Sequence, residues 1–158
     1  MFEVSCNICE SFEAAEKTVS LCAVSGTTIS DNHATDDGAG LGGGIAINSF
    51  DAIVTLAGNS VTHNSGTEGG GIFVYDCSPT INNCIFENNS ADYGGGIGIW
   101  GGTTTIQPNI SNCIFNSNYA AYDGGALSNR GNSDLIISNC TFFENEAYSS
   151  GGAIYNDS

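Results

Sequence analysis

The chain has 158 residues, of which 41% are hydrophobic, with 22 glycines and only 2 prolines. This composition excludes a disordered linker, because disordered segments are poor in hydrophobic residues. The formal net charge of −15, from 17 acidic residues against 2 basic ones, argues against binding to nucleic acids and to anionic membrane surfaces.

The first segment, residues 1–23, lacks the basic and apolar regions of a signal peptide. Only Phe12 to Leu21 has a pattern compatible with a helix. We predict that residues 1–23 form an amino-terminal cap or a degenerate coil. No run of eighteen apolar residues follows anywhere in the chain, so we expect no membrane insertion by this segment.

Residues 24–158 contain five copies of a repeat, shown most clearly by "NCIFENNSADYGGGIGI" from Asn83 to Ile99. One asparagine aligns the copies: Asn32, Asn64, Asn89, Asn118 and Asn145. An apolar residue stands three positions earlier: Ile29, Val61, Phe86, Phe115 and Phe142. A glycine pair and a small residue then precede an aliphatic one: Ile45, Ile72, Ile97, Leu127 and Ile154. This irregular period of about 25 to 32 residues is typical of solenoid proteins.

Short alternating apolar runs such as "GIAI", "GIFV" and "DLIIS" indicate β-strands. The connections between them are too short for crossover helices, which excludes a doubly wound α/β sheet. The pattern predicts an all-β fold, a parallel β-helix of about five coils with three short strands in each coil. We expect residues 24–158 to be part of a longer solenoid, capped at its ends by flanking coils or by a partner chain.

The glycines and asparagines beside the apolar residues have a physical explanation in such a fold. Coils stack about 4.8 Å apart, so equivalent residues lie above one another. Glycine and asparagine tolerate the positive φ angles of sharp corners. Stacked asparagines can also form amide hydrogen bonds from coil to coil. We therefore predict that the five anchor asparagines form one ladder, and that the apolar residues form buried columns.

These motifs resemble the repeats of the polymorphic outer membrane proteins first described in chlamydiae. Phe-x-x-Asn occurs as "FENN", "FNSN" and "FFEN", each followed by a tetrapeptide of the Gly-Gly-Ala-Ile type. The resemblance covers roughly residues 26 to 156 and implies a right-handed, single-stranded parallel β-helix, an autotransporter-like passenger exposed on a cell surface as an adhesin. It assigns the adhesion motif to Phe86, Asn89, Phe115, Asn118, Phe142, Asn145, Gly124, Gly125, Ala126, Leu127, Gly151, Gly152, Ala153 and Ile154.

The cysteines and acidic residues leave several interpretations open. Cys84, Cys113 and Cys140 share one repeat position and are predicted to stack as small inward-facing residues, although a disulfide between coils is conceivable. Cys6 and Cys9 form a C-x-x-C without a second ligand pair, so we assign no metal site there. The acidic surface favours solubility, with weak Ca²⁺ binding at Asp36-Asp37-Gly38 as an alternative, and no cofactor is predicted.

Candidate catalytic residues are few. The single arginine, Arg130, is predicted to lie in a loop next to Asp134, and Asp36 and Asp37 would point to opposite faces of a strand. His33 and His63 occupy different repeat positions and are predicted to be unstacked surface residues. We therefore assign no catalytic residue and expect a non-enzymatic protein.

Three tyrosines follow the anchor asparagines of successive copies, namely Tyr93, Tyr122 and Tyr148. Tyrosines on a rigid sheet can contact a sugar or a protein, although they can also pack over a corner. The sequence thus favours a cell-surface, outer-membrane or secreted segment that acts in adhesion or as a stalk, with a host-cell protein or glycan as partner. The alternative is a carbohydrate-active β-helix, a polysaccharide lyase or hydrolase, whose catalytic residues lie partly outside this chain.

Overall fold

The fold is that of a parallel β-solenoid, seen in a computed structural model that describes residues 21–34, 40–48 and 52–158. Eighteen strands in these segments form four sheets, and successive strands of a sheet come from successive coils. Three sheets have five strands each, which agrees with the predicted number of coils. Strand β1 begins at Leu21, which is the last residue of the segment Phe12 to Leu21 with a helix-compatible pattern. Residues 1–20, and with them most of the predicted cap or degenerate coil, lie outside the described part.

The strands are named in chain order and grouped by sheet. Sheet A contains β1 (Leu21–Ser25), β4 (Ile53–Ala57), β7 (Thr80–Asn82), β11 (Asn109–Ser111) and β15 (Ile136–Ser138). Sheet B contains β2 (Thr28–Ser30), β5 (Ser60–Thr62), β8 (Ile85–Glu87), β12 (Ile114–Asn116) and β16 (Thr141–Phe143). Sheet C contains β9 (Ser90–Tyr93), β13 (Tyr119–Asp123) and β17 (Glu146–Ala147). Sheet D contains β3 (Ile45–Asn48), β6 (Ile72–Tyr75), β10 (Ile97–Ile106), β14 (Leu127–Ser133) and β18 (Ile154–Asp157).

Sheet C corrects the prediction of three strands per coil. In the third, fourth and fifth coils a fourth strand follows the anchor asparagine and ends at or before the glycine pair. The sequence hides this strand because its residues, such as Ser90 and Asp123, do not alternate between apolar and polar types. Backbone pairing with the neighbouring coils, rather than an apolar face, therefore defines it.

The predicted asparagine ladder is confirmed. The Nδ2 atom of each anchor asparagine donates to Oδ1 of the next one, at distances of 2.9 to 3.1 Å from Asn32 to Asn145. That same Oδ1 also accepts the backbone N–H of the preceding anchor. The second Nδ2 hydrogen goes to a carbonyl of the previous coil, as from Asn118 to Phe86 O at 2.9 Å. The amide atoms of the three buried anchors, Asn64, Asn89 and Asn118, are thus satisfied, as burial requires.

The predicted apolar columns are confirmed as well. Phe86, Phe115 and Phe142 are register partners in sheet B, and both ring pairs stack with centroids 4.8 Å apart. Phe86 and Phe115 have no exposed surface. The aliphatic residues after the glycine pairs align in sheet D from Ile45 to Ile154. A third column in sheet A runs through Leu56, Ile81 and Ile110.

The corner before each ladder asparagine differs from the expectation that glycine or asparagine would supply the positive φ angle. The residue directly before the anchor is left-handed in all five coils, with φ between 53° and 59°: Asp31, His63, Asn88, Ser117 and Glu144. Residues other than glycine lose stability in this conformation. The ladder and the coil-to-coil hydrogen bonds therefore impose this turn on whichever residue occupies the position.

Glycine is required at the turn between sheets C and D. Gly124 has a φ of 71°, and the residue after it, Gly125, lies so close to the next coil that a Cβ would overlap the carbonyl oxygens of Glu146 and Gly152. The first position needs glycine for its backbone angle. The second needs it because stacked backbones leave no room for a side chain.

Replacing Phe115 by Asp is expected to reduce the free energy of unfolding by about 4 kcal/mol or more, because it leaves a void and buries an unpaired charge. Ser117→Asp is the matched control, since Ser117 lies at the partly exposed corner two residues later and should change stability by less than about 1 kcal/mol. Urea unfolding followed by circular dichroism measures both. Equal losses would contradict the column.

Candidate interaction surface

A tyrosine-bearing surface lies where sheet C turns into sheet D. Glu68, Tyr93 and Asp123 form one row across three coils, each residue directly before a glycine of the turn. A register shift between Ala120 and Asp123 places Asp123, rather than Tyr122, opposite Tyr93 in the backbone pairing, yet the rings of Tyr93 and Tyr122 still lie side by side. The centroids of the Tyr93 and Tyr122 rings are 5.1 Å apart and their planes differ by 24°.

We call this surface the tyrosine face, defined as the solvent side of sheet C with Tyr93, Tyr119, Tyr122 and Tyr148. Tyr93 is partly buried, Tyr122 is 49% exposed and Tyr148 is 85% exposed. Tyr119 is also exposed and pairs in register with Glu146. The predicted stripe is thus present for Tyr93 and Tyr122, whereas Tyr148 projects freely and makes no ring contact with the residues described.

Arg130 is part of this surface and not of a loop, which corrects the sequence prediction. It lies in β14, in the outward row of sheet D that also contains Tyr75 and Trp100. Its Nη2 donates to Asp123 Oδ2 at 3.0 Å, so its partner is Asp123 and not Asp134. Its Cζ lies 3.6 Å from the centroid of the Tyr93 ring, a close cation–π contact. Arg130 therefore fastens β14 to β13 and β9.

Glu68 gives this surface an unusual titratable group. Burial raises the pKa of its carboxyl, the charge of Arg130 lowers it, and the neighbouring Asp92 raises it again. The net direction is upward from the ordinary value of 4.5. Shifted pKa values are enriched at functional sites, so Glu68, whose backbone pairs with that of Tyr93, is a candidate functional residue.

The predicted cysteine column is present: Cys84 and Cys113 are buried, Cys140 is partly buried, and the three are not joined by disulfides. Its hydrogen bonds were not predicted. The backbone N–H of Cys84 donates to Cys113 Sγ, and that of Cys113 donates to Cys140 Sγ, both at 3.5 Å. In the previous coil Asn59 holds the equivalent position, and its Oδ1 accepts from the N–H of Thr27 at 3.0 Å. The thiols thus form a second corner ladder and do more than fill space.

Cys113 Sγ lies 3.2 Å from the carbonyl oxygen of Ser111 and 3.8 Å from that of Ile81, so its single S–H can donate to one of the two. The Ile81 contact is the counterpart of the hydrogen bond that Asn59 Nδ2 donates to Val24 O at 2.8 Å. A hydrogen bond with Cys84, together with burial, raises the pKa of Cys113. Cys113 therefore stays a neutral thiol that can act as both donor and acceptor. The signal for this role was in the repeat alignment, since Asn59 occupies the same position as the cysteines.

The other predicted site residues lie either at the surface or outside the described part of the chain. His33 and His63 are exposed and not in register, as predicted, and His33 Nδ1 contacts Ser65 Oγ. Asp36-Asp37-Gly38 and the Cys6–Cys9 motif lie outside the described residues. Within residues 21–34, 40–48 and 52–158, no group of three or more His, Cys, Asp or Glu side chains is arranged to hold a metal ion. In the same segments, no helix has the length and hydrophobicity to cross a bilayer.

Stacked parallel coils with inward ladders define the class of protein as a β-solenoid with an outward aromatic surface. The sequence matches the family model described as right handed beta helix region over residues 3–158. The chain therefore belongs to the right-handed β-helix family, which confirms the predicted handedness. Comparison with curated proteins and with solved structures finds no significant match. The finer resemblance to polymorphic outer membrane protein repeats stays a prediction.

Replacing Cys113 by Asn should preserve the corner ladder and change the free energy of unfolding by less than about 1 kcal/mol, because Asn59 fills the same position. Cys113→Val should destabilise by about 1 to 3 kcal/mol, because the buried N–H of Cys84 loses its acceptor. Denaturant titrations of the two variants test this, and a valine variant as stable as the asparagine variant would refute the ladder.

Glu68→Gln should become increasingly stabilising, relative to the parent chain, as pH rises above 4.5. The folded parent holds the Glu68 proton more tightly than the unfolded chain, so its stability falls as pH rises through the raised pKa. Below 4.5 both states are protonated and the difference should level off. Unfolding free energies between pH 3 and pH 8 measure the effect, and a difference independent of pH would contradict it.

Proposed function

We propose that this chain is a non-enzymatic part of a secreted or surface-displayed β-helix protein, which acts in adhesion through its tyrosine face. The observation that supports this most directly is the combination of the stacked Tyr93 and Tyr122 rings with the highly exposed Tyr148. Tyrosine provides large, rigid contact area together with a hydroxyl group, and for this reason it is enriched in interfaces. The stacked coils behind it supply the rigid stalk that holds these rings.

The phenylalanines and asparagines that the resemblance assigns to the adhesion motif have a structural role in this proposal. Phe86, Phe115, Asn89 and Asn118 are almost completely buried, and their polar atoms bond to neighbouring coils. In the folded chain they can serve adhesion by spacing and stiffening the coils. Direct contact with a host-cell protein or glycan then falls to exposed residues of the same coils.

The fifth coil supports the expectation of a neighbour at that end of the rod. Its interior residues Ile137 and Phe142 are only partly buried, whereas their counterparts Ile110 and Phe115 in the fourth coil are fully buried. The fourth coil owes its burial to having coils on both sides. Flanking coils or a partner chain would bury the equivalent surface of the fifth coil, and we propose such a cap.

The adhesion proposal is tested with the purified chain on a glycan array and on immobilised host-surface proteins. Replacing Tyr93, Tyr122 and Tyr148 together by alanine should reduce binding at least about tenfold, since each aromatic contact contributes about 0.5 to 1.5 kcal/mol. Ile85, Ile114 and Phe143 replaced by alanine form the control, because they are large apolar residues almost as exposed as Tyr122 but lie on sheet B. Binding that both triple variants retain would count against the tyrosine face.

A carbohydrate-active function is the second candidate, and Glu68 is the observation in its favour. A carboxyl whose pKa is raised by burial can serve as a general acid in glycoside cleavage. The test incubates the chain with acidic and neutral polysaccharides and measures new reducing ends and unsaturated products. Turnover that Glu68→Gln abolishes would replace the adhesion proposal, whereas binding without product would support it.

A further inference from the structure

We propose that the tyrosine face binds an arginine-containing basic segment of a partner protein, with guanidinium groups seated on Tyr122 and Tyr148 near the carboxylates of that face. This inference rests on the proposed adhesive function and names the chemistry of the partner. It is supported by the contact of Arg130 with the Tyr93 ring, by the negative charge of the surrounding surface, and by the exposed rings of Tyr122 and Tyr148.

The chain itself shows how a guanidinium fits this surface. Arg130 places its Cζ 3.6 Å above the Tyr93 ring while Nη2 donates to Asp123 at 3.0 Å. The planar group thus stacks on an aromatic face and pairs with a carboxylate at the same time. Arginine combines these two contacts better than lysine, whose ammonium is compact and more strongly hydrated.

The charge around the rings favours a cationic partner. Glu68, Asp92, Asp123 and Glu146 lie on or beside the tyrosine face, and Arg130 is the one Lys or Arg among the residues that the structure describes. The whole chain carries −15. Such a surface attracts basic segments from a distance and repels acidic polysaccharides.

Two further rings offer the same chemistry but hold no cation. Within the described residues, Arg130 lies over Tyr93 and, at 5.6 Å, over Tyr155, whereas no guanidinium or ammonium covers Tyr122 or Tyr148. Both rings are exposed, Glu146 lies two residues before Tyr148, and Asp123, which directly follows Tyr122, is already paired with Arg130. A neutral sugar could also stack on these rings and donate its hydroxyl groups to the carboxylates, but it would gain nothing from the net negative charge of the surface. The surface therefore fits arginine better than it fits a glycan.

Fluorescently labelled nona-arginine and nona-lysine serve as probes in anisotropy titrations against the intact chain. Nona-arginine should bind more tightly than nona-lysine, and both affinities should fall with added salt. Replacing Tyr122 and Tyr148 by alanine should weaken nona-arginine binding by about 5- to 30-fold, the factor expected for two exposed cation–π contacts. Ile85 and Ile114, replaced together by alanine, should leave the affinity within about twofold.

A second pair of variants separates the local carboxylates from the overall charge. Glu146→Gln and Asp134→Asn each remove one negative charge, but only Glu146 lies on the tyrosine face, while Asp134 is exposed between β14 and β15. Nona-arginine affinity should fall more for Glu146→Gln. Equal losses, or equal affinity for the two peptides, would show unspecific attraction to an acidic chain and overturn the inference.

The result also distinguishes this inference from the adhesion proposal. If neutral glycans on the array bind in a manner that needs Tyr122 and Tyr148, while nona-arginine does not bind, adhesion stands and the arginine partner is wrong. If nona-arginine binds but neither triple variant of the array experiment alters binding to host surfaces, the arginine site exists without an adhesive role. If no probe binds to the face, both proposals fail.

Discussion

The coil-to-coil hydrogen bond between stacked asparagine amides is the interaction on which the remaining structure depends. Each amide joins its neighbours above and below and also bonds a carbonyl of the previous coil, as Asn118 does with Phe86. These bonds fix the register of the strands on both sides of the corner. Because this register places Phe86, Phe115 and Phe142 above one another, the apolar core follows from the polar ladder. The thiol ladder through Cys84 and Cys113 performs the same task at the preceding corner.

The scaffold was predictable because each of its marker residues satisfies a single physical requirement. The anchor asparagine needs an amide, the position of Phe115 needs apolar bulk, and Gly125 needs the absence of a side chain. Requirements of this kind recur in every coil, so the sequence repeats them visibly. The left-handed residue before the anchor was not predicted, because its backbone angle is imposed by neighbours and leaves no trace in residue type.

The candidate surface was only partly predictable, since its contacts cross from one sheet to another. The shared repeat position of Tyr93 and Tyr122 indicated a tyrosine row, and their rings do stack, but the register shift in β13 that sets Asp123 opposite Tyr93 was not visible in the repeat. The pairing of Arg130 with Asp123 depends on how far β14 extends and how closely sheet C approaches it. Neither the length of β14 nor its separation from sheet C is encoded in the repeat period. Alignment with Trp100 would have placed Arg130 on the outside of sheet D, but not against Tyr93.

The left-handed corner has a consequence for how such a rod can diversify. Aspartate, histidine, asparagine, serine and glutamate all occupy that position, and the backbone turns in the same way in each coil. The turn is the same whether its side chain is anionic, neutral or an imidazole, so the chemistry at the corner can change without changing the fold. Side chains at this position can therefore be exchanged one coil at a time, while the spacing and register of the coils stay the same.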